Sequence, residues 1–77
     1  MMKPDEKLAY MANQIAMFFV SQGEDRAAAN VADHIEKFWN PDMRRDFLAA
    51  ASKGTLNLHP AVKAALPLLQ AQQAAQE

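Results

Sequence analysis

Val31-Ala32-Asp33-His34-Ile35-Glu36-Lys37-Phe38-Trp39-Asn40-Pro41-Asp42-Met43-Arg44-Arg45-Asp46-Phe47 is the stretch that decides the fold class. Its apolar residues recur three and four apart on both sides of Asn40-Pro41, which is the period of a helix and not of a strand. Upstream, Ala27, Ala28, Val31, Ala32, Ile35, Phe38 and Trp39 fall within an arc of about 140°, with Asn30, Asp33, His34 and Lys37 opposite. Downstream, Met43, Phe47, Ala50 and Ala51 form a second seam. Proline restricts the residue before it and cannot donate to the preceding turn, so the first helix stops at Asn40. The same dipeptide starts the next helix: Asn40 is a favoured N-cap, Pro41 a favoured first residue, and Asp42 sits at the positive end of the helix dipole. The stretch predicts helices over 24–39 and 41–52 that meet at a sharp corner. Glu24 and Asp25 open the first, and Lys53-Gly54 closes the second.

Working outward, Leu8, Met11, Ala12, Ile15 and Phe19 give one apolar face to a helix over 4–21. Pro4, Asp5 and Glu6 suit its first turn, and Gly23 stops it. On the other side, 55–59 reads as a loop whose Leu56 and Leu58 fold back onto the core. His59-Pro60 repeats the proline start, with Val62, Ala65, Leu66 and Leu69 as the apolar stripe. Pro67 either ends this helix near 66 or kinks it, because proline removes one hydrogen bond and clashes with the preceding turn. Beyond Leu69 the low-complexity residues offer helix propensity but nothing large to bury. The reading is all-α: a small single-domain bundle of three to four short helices over 1–69, with a frayed Gln- and Ala-rich tail over 70–77.

Composition narrows what such a bundle can do. The 77 residues are 51% hydrophobic, yet sixteen of them are alanine, so a thin core is expected. The absence of cysteine excludes a disulfide scaffold, a Cys-based zinc site and an iron–sulfur cluster in this chain. Eight basic residues against nine acidic ones argue against a general nucleic-acid binder, whose affinity comes largely from neutralising phosphates. No apolar run approaches the roughly 20 residues that span a bilayer, and the start, Met1-Met2-Lys3-Pro4-Asp5, lacks the apolar core of a signal peptide. The chain reads as a cytoplasmic protein with no membrane partner.

Catalytic constellations are scarce. Asp33, His34 and Glu36 are too close in sequence to share an ion, since consecutive helical residues point about 100° apart. His34 reads as a solvated side chain on the polar face, and His59 as a loop or cap residue. Ser21 and Ser52 lie near helix ends without an acid–base partner, and with Gly23 and Gly54 alone a glycine-rich phosphate loop is excluded. A pocket of about 300 Å³ is hard to build inside so small a bundle. The chain reads as non-enzymatic, with no catalytic, metal or cofactor-binding residue. Arg44-Arg45 after a tight turn invites a helix-turn-helix reading, but Asp42 and Asp46 on the same helix oppose it.

Two features point to a protein partner instead. On the first helix Tyr10, Met17 and Val20 lie about 120–200° away from Leu8, with Phe18 on the border, although a lone bundle needs one apolar face per helix. Aromatic residues and Met are enriched at interfaces, so these residues read either as a partner face or as packing on two sides. The corner of Trp39, Pro41, Met43, Arg44 and Arg45 combines the residue types commonest at binding hot spots. Its other reading has Trp39 plugging the bundle end and the arginines pairing with Asp42, Asp46 or water.

Three blocks give the chain a recognisable pattern: Met11-Ala12-Asn13-Gln14-Ile15-Ala16-x-Phe18-Phe19, then Val31-Ala32-Asp33-His34-Ile35-x-x-Phe38-Trp39-x-Pro41-x-Met43-Arg44, then Leu58-x-Pro60-x-Val62-x-x-Ala65-Leu66. Over about 8–66 the chain resembles the delta subunit of NAD-dependent, molybdenum-containing formate dehydrogenase. The segment 21–26 is slightly shorter than the family pattern. The resemblance implies a non-catalytic accessory subunit that supports assembly or stability of the complex, with the catalytic alpha subunit as its partner. Molybdopterin and iron–sulfur clusters are then expected in that subunit, and flavin and NAD sites in others. The alternatives are a homo-oligomeric helical protein that self-associates when isolated, and a small nucleic-acid-binding regulator.

Overall fold

A computed structural model describes residues 2–76. Its elements are α1 (Pro4–Gln22), a 3₁₀ turn (Glu24–Arg26), α2 (Ala27–Phe38), α3 (Pro41–Ser52) and α4 (Pro60–Gln76), and no strand occurs among the described residues. The fold is the all-α bundle that the apolar periodicity predicts.

The boundaries follow from local chemistry. Pro4 opens α1, and the Lys3 backbone N–H donates to the Glu6 carboxylate at 3.1 Å. Gly23 closes α1 with φ 138°, a backbone conformation that residues bearing a Cβ rarely adopt. The turn is tight enough that 24–26 winds as 3₁₀ before α2 begins, so the helix predicted over 24–39 is α-helical from Ala27 to Phe38 alone. Asn40 caps α3 as expected, its side-chain oxygen accepting from the Met43 N–H at 2.9 Å. Gly54, at φ 74°, ends the turn after α3. His59 caps α4: its Nδ1 accepts from the Ala61 N–H at 3.0 Å.

Helix α4 settles the alternative left open by Pro67, running through the proline to Gln76. Lys63 loses the hydrogen bond that a residue-67 N–H would have given, but flanking turns hold the helix. Leu69 is its last residue in the core. The turns beyond it bury no large apolar side chain, and a helix end packed so sparsely opens at low free energy. Residues 1 and 77, the ends of the predicted domain and tail, lie outside the described residues.

One core joins all four helices, and α2 and α4 share the most extensive contact. Phe47, Ile35, Val31 and Val62 are its largest fully buried side chains, while seven of the fourteen buried hydrophobic residues are alanine. The thin core expected from composition is therefore present. Leu58 is buried and Leu56 half-buried against the core, as predicted for the loop.

Two core assignments need correction. On α1 the buried row is Ala9, Ala12 and Ala16, while Leu8, Met11, Ile15 and Phe19 are half-buried along its flank. The buried direction is thus turned about 90° from the apolar stripe. Small residues occupy the line of closest approach because only they let neighbouring helices come near, and larger side chains are displaced to the sides. On α2, Phe38 is exposed although the wheel places it inward. The helix ends there, and Trp39 leaves in extended conformation (φ −92°, ψ 141°) with its ring buried, as the wheel placed it.

Candidate partner-binding surface

The outer face of α1 carries the surplus apolar residues. Tyr10, Met17 and Phe18 are 53%, 58% and 60% exposed, and Phe38 on α2 is 73% exposed. They form no isolated scatter. Phe18 meets Phe19 edge-on with ring centroids 5.2 Å apart. Phe19 meets His34 at 5.9 Å, and His34 stacks on Phe38 at 4.6 Å with 32° between the planes. A row of rings therefore crosses from the end of α1 to the end of α2. Along α1 the Gln14 amide donates to the Tyr10 hydroxyl at 3.3 Å, tying Tyr10 to the next turn. No charged residue occurs from position 8 to position 23.

His34 consequently differs from its expected role. It is half-buried between two aromatic rings and is not a freely solvated side chain. Asp33 and Lys37 beside it pair across one turn at 3.1 Å in an exposed ion pair of small energetic weight. Val20, the fourth α1 candidate, is half-buried and faces the start of α2 and α4, away from Tyr10 and Phe18.

The corner divides into interior and exterior. Trp39 is 6% exposed and packs edge-on against Phe47, with centroids 5.5 Å apart. Arg44 is 8% exposed, and one guanidinium nitrogen donates to the carbonyls of Glu36 at 2.9 Å and Trp39 at 2.7 Å. Both carbonyls lie at the end of α2, where backbone acceptors lack helical partners and the dipole is negative. Arg44 of α3 therefore caps α2. Pro41 and Arg45 are exposed, Arg45 pairing with Asp42 at 3.1 Å, and Met43 is half-buried. The nine candidates do not form one surface. Tyr10, Met17 and Phe18 share a face that Phe38 extends, whereas Trp39 and Arg44 are committed to the fold.

Asn13, which no sequence signal singled out, joins α1 to the α3–α4 loop. Its side-chain N–H donates to the Asn57 carbonyl at 2.9 Å, and its oxygen accepts from the His59 N–H at 2.8 Å. Beside this junction an open groove of about 470 Å³ lies between Val20, Ala27, Ala28, Pro60 and Ala64. It exceeds the volume expected for so small a bundle because it lies on the surface between helix starts and not inside the core. Among the described residues no group of three or more His, Asp and Glu side chains is placed to hold a metal ion, and no helix is long and apolar enough to cross a membrane.

The family model described as NADH-dependent formate dehydrogenase delta subunit FdsD matches residues 7–66. No curated protein and no solved structure matches the chain.

Proposed function

Because the chain belongs to the family of NADH-dependent formate dehydrogenase delta subunits, we propose that it is a non-catalytic accessory subunit that docks on the catalytic subunit through the outer face of α1. The observation that carries this reading is the exposure of Tyr10, Met17 and Phe18 on α1 and of Phe38 on α2, in a molecule half of whose buried hydrophobic residues are alanine. Burying a large apolar side chain contributes about 1.5–3 kcal/mol, and aromatic anchors commonly dominate an interface. A thin core adds a reason for partnership, since any binding to the folded chain alone stabilises it by mass action.

In this reading the subunit holds no cofactor. Molybdopterin, iron–sulfur clusters, flavin and the NAD site reside in its partners, and this chain contributes a rigid apolar surface. That surface is set by the packing of α2 beside α1, which brings Phe19 against His34 and, through it, Phe38 into one row with Phe18.

Co-expression of the catalytic subunit with a Tyr10→Asp, Met17→Asp double variant tests the proposal. Both positions are exposed, so the isolated variant should keep its helical circular dichroism while losing co-purification. A folded variant recovered at full stoichiometry in the complex would refute docking through this face.

A further inference from the structure

The start of α4 depends on a group that can take up a proton. Donors at a helix start have no partner within the helix, so each needs an acceptor from outside it. Pro60 has no N–H, and His59 serves the three N–H groups that follow. Its carbonyl accepts from Val62 at 2.9 Å and Lys63 at 3.0 Å, and its ring Nδ1 accepts from Ala61 at 3.0 Å. At α3 the side-chain part of this task falls to the amide of Asn40, which does not titrate. The His59 N–H donates in turn to the Asn13 oxygen at 2.8 Å, which fixes the residue against α1.

An Nδ1 that accepts must keep its lone pair, which leaves the ring's proton on Nε2. A protonated imidazole donates from both nitrogens and accepts at neither. Its charge would also stand at the positive end of a 17-residue helix. Proton and cap therefore exclude each other. We propose that His59 is a pH-operated clasp on α4. Neutral, it closes the first turn; protonated, it releases the Ala61 N–H, and its ring turns into the groove that it lines with Val20, Glu24 and Ala28.

That groove, of about 470 Å³, has room for the ring, and Glu24 is the carboxylate in its lining. Charge is otherwise sparse around His59. On α1 no charged residue occurs from 8 to 23, and on α2 none occurs from 27 to 32. Asp25 and Arg26 belong to the 3₁₀ turn but not to the groove lining. The loop 55–58 carries no charge, and Lys63 is exposed one turn further along α4. Glu24 favours the charged ring, while Lys63 and the helix start oppose it. Imidazoles take up their proton between about pH 8 and pH 5, so the cap is closed at the upper end of that interval and lost as pH falls through it. The clasp stands without the docking reading, because Tyr10, Met17 and Phe18 lie outside this groove.

Nitrogen NMR of the full chain, titrated from about pH 8 to about pH 5.5, tests the clasp. At the upper end the His59 Nδ1 is expected to be unprotonated and coupled through the hydrogen bond to the Ala61 amide nitrogen. Toward the lower end that coupling should vanish. Exchange protection of the Ala61 amide should fall about fivefold or more, the effect of a lost cap. His59→Asn supplies a cap that does not titrate, so its Ala61 protection should stay level with pH. His34→Gln removes the chain's other histidine and should leave the wild-type profile intact. A coupling that persists to the lowest pH, a profile that survives in His59→Asn, or one that disappears in His34→Gln would overturn the proposal.

Discussion

Replacing Arg44 should unlock the corner between α2 and α3, whereas replacing its neighbour Arg45 should not. In Arg44→Met the apolar stem remains, but two hydrogen bonds from a charged donor to the Glu36 and Trp39 carbonyls are lost. Bonds to charged groups contribute about 1.5–3 kcal/mol each. Relief of the guanidinium's burial returns part of that sum. A net loss of about 2–4 kcal/mol follows. For a 77-residue domain total stability is about 4–12 kcal/mol, so this single change removes a large share. At about 4–8 °C per kcal/mol, the melting temperature should fall by roughly 10–25 °C. Thermal and urea unfolding followed by circular dichroism gives the measurement. Arg45→Met deletes an exposed ion pair with Asp42 and should stay within about 0.5 kcal/mol of the parent. If the two variants unfold alike, or Arg44→Met costs less than about 0.5 kcal/mol, Arg44 does not hold the corner.

Two other junctions are testable in the same way. Asn13→Ala breaks both bonds between α1 and the α3–α4 loop and should cost about 2 kcal/mol, with exchange of the His59 amide accelerating at least about tenfold. His59→Ala removes the cap of α4 and should cost about 1 kcal/mol; His59→Asn should recover most of it, and equal loss in both would refute the capping role.

The parts of this fold that were legible in the sequence are those decided within a few residues. Asn40-Pro41, Gly23, Gly54 and His59-Pro60 act through their own backbone chemistry, and each falls where its residue type predicts. The seam of α3 and the stripe of α4 follow likewise from regular spacing. What could not be read depends on neighbours distant in sequence. A helical wheel weights side-chain size, so it pointed α1 toward Leu8 and Ile15, while packing against the other helices buried Ala9, Ala12 and Ala16. Phe38 turns outward where the helix ends, one residue before the boundary the pattern predicts, while Trp39 stays inward as the wheel placed it. Arg44 and Asn13 are polar residues whose partners are the ends of other elements, so no local spacing marks them. Of the surface candidates, Tyr10, Met17 and Phe18 were visible as excess apolar residues. His34 and Phe38 join them only through the packing of α2 beside α1, where Phe19 meets His34.

A photo-crosslinking residue placed at Met17, with Lys63 on the exposed side of α4 as its control, addresses the docking surface most directly. In the purified complex the docking account predicts that the Met17 position captures the catalytic subunit and the Lys63 position does not. Capture from Lys63 with none from Met17 would contradict it.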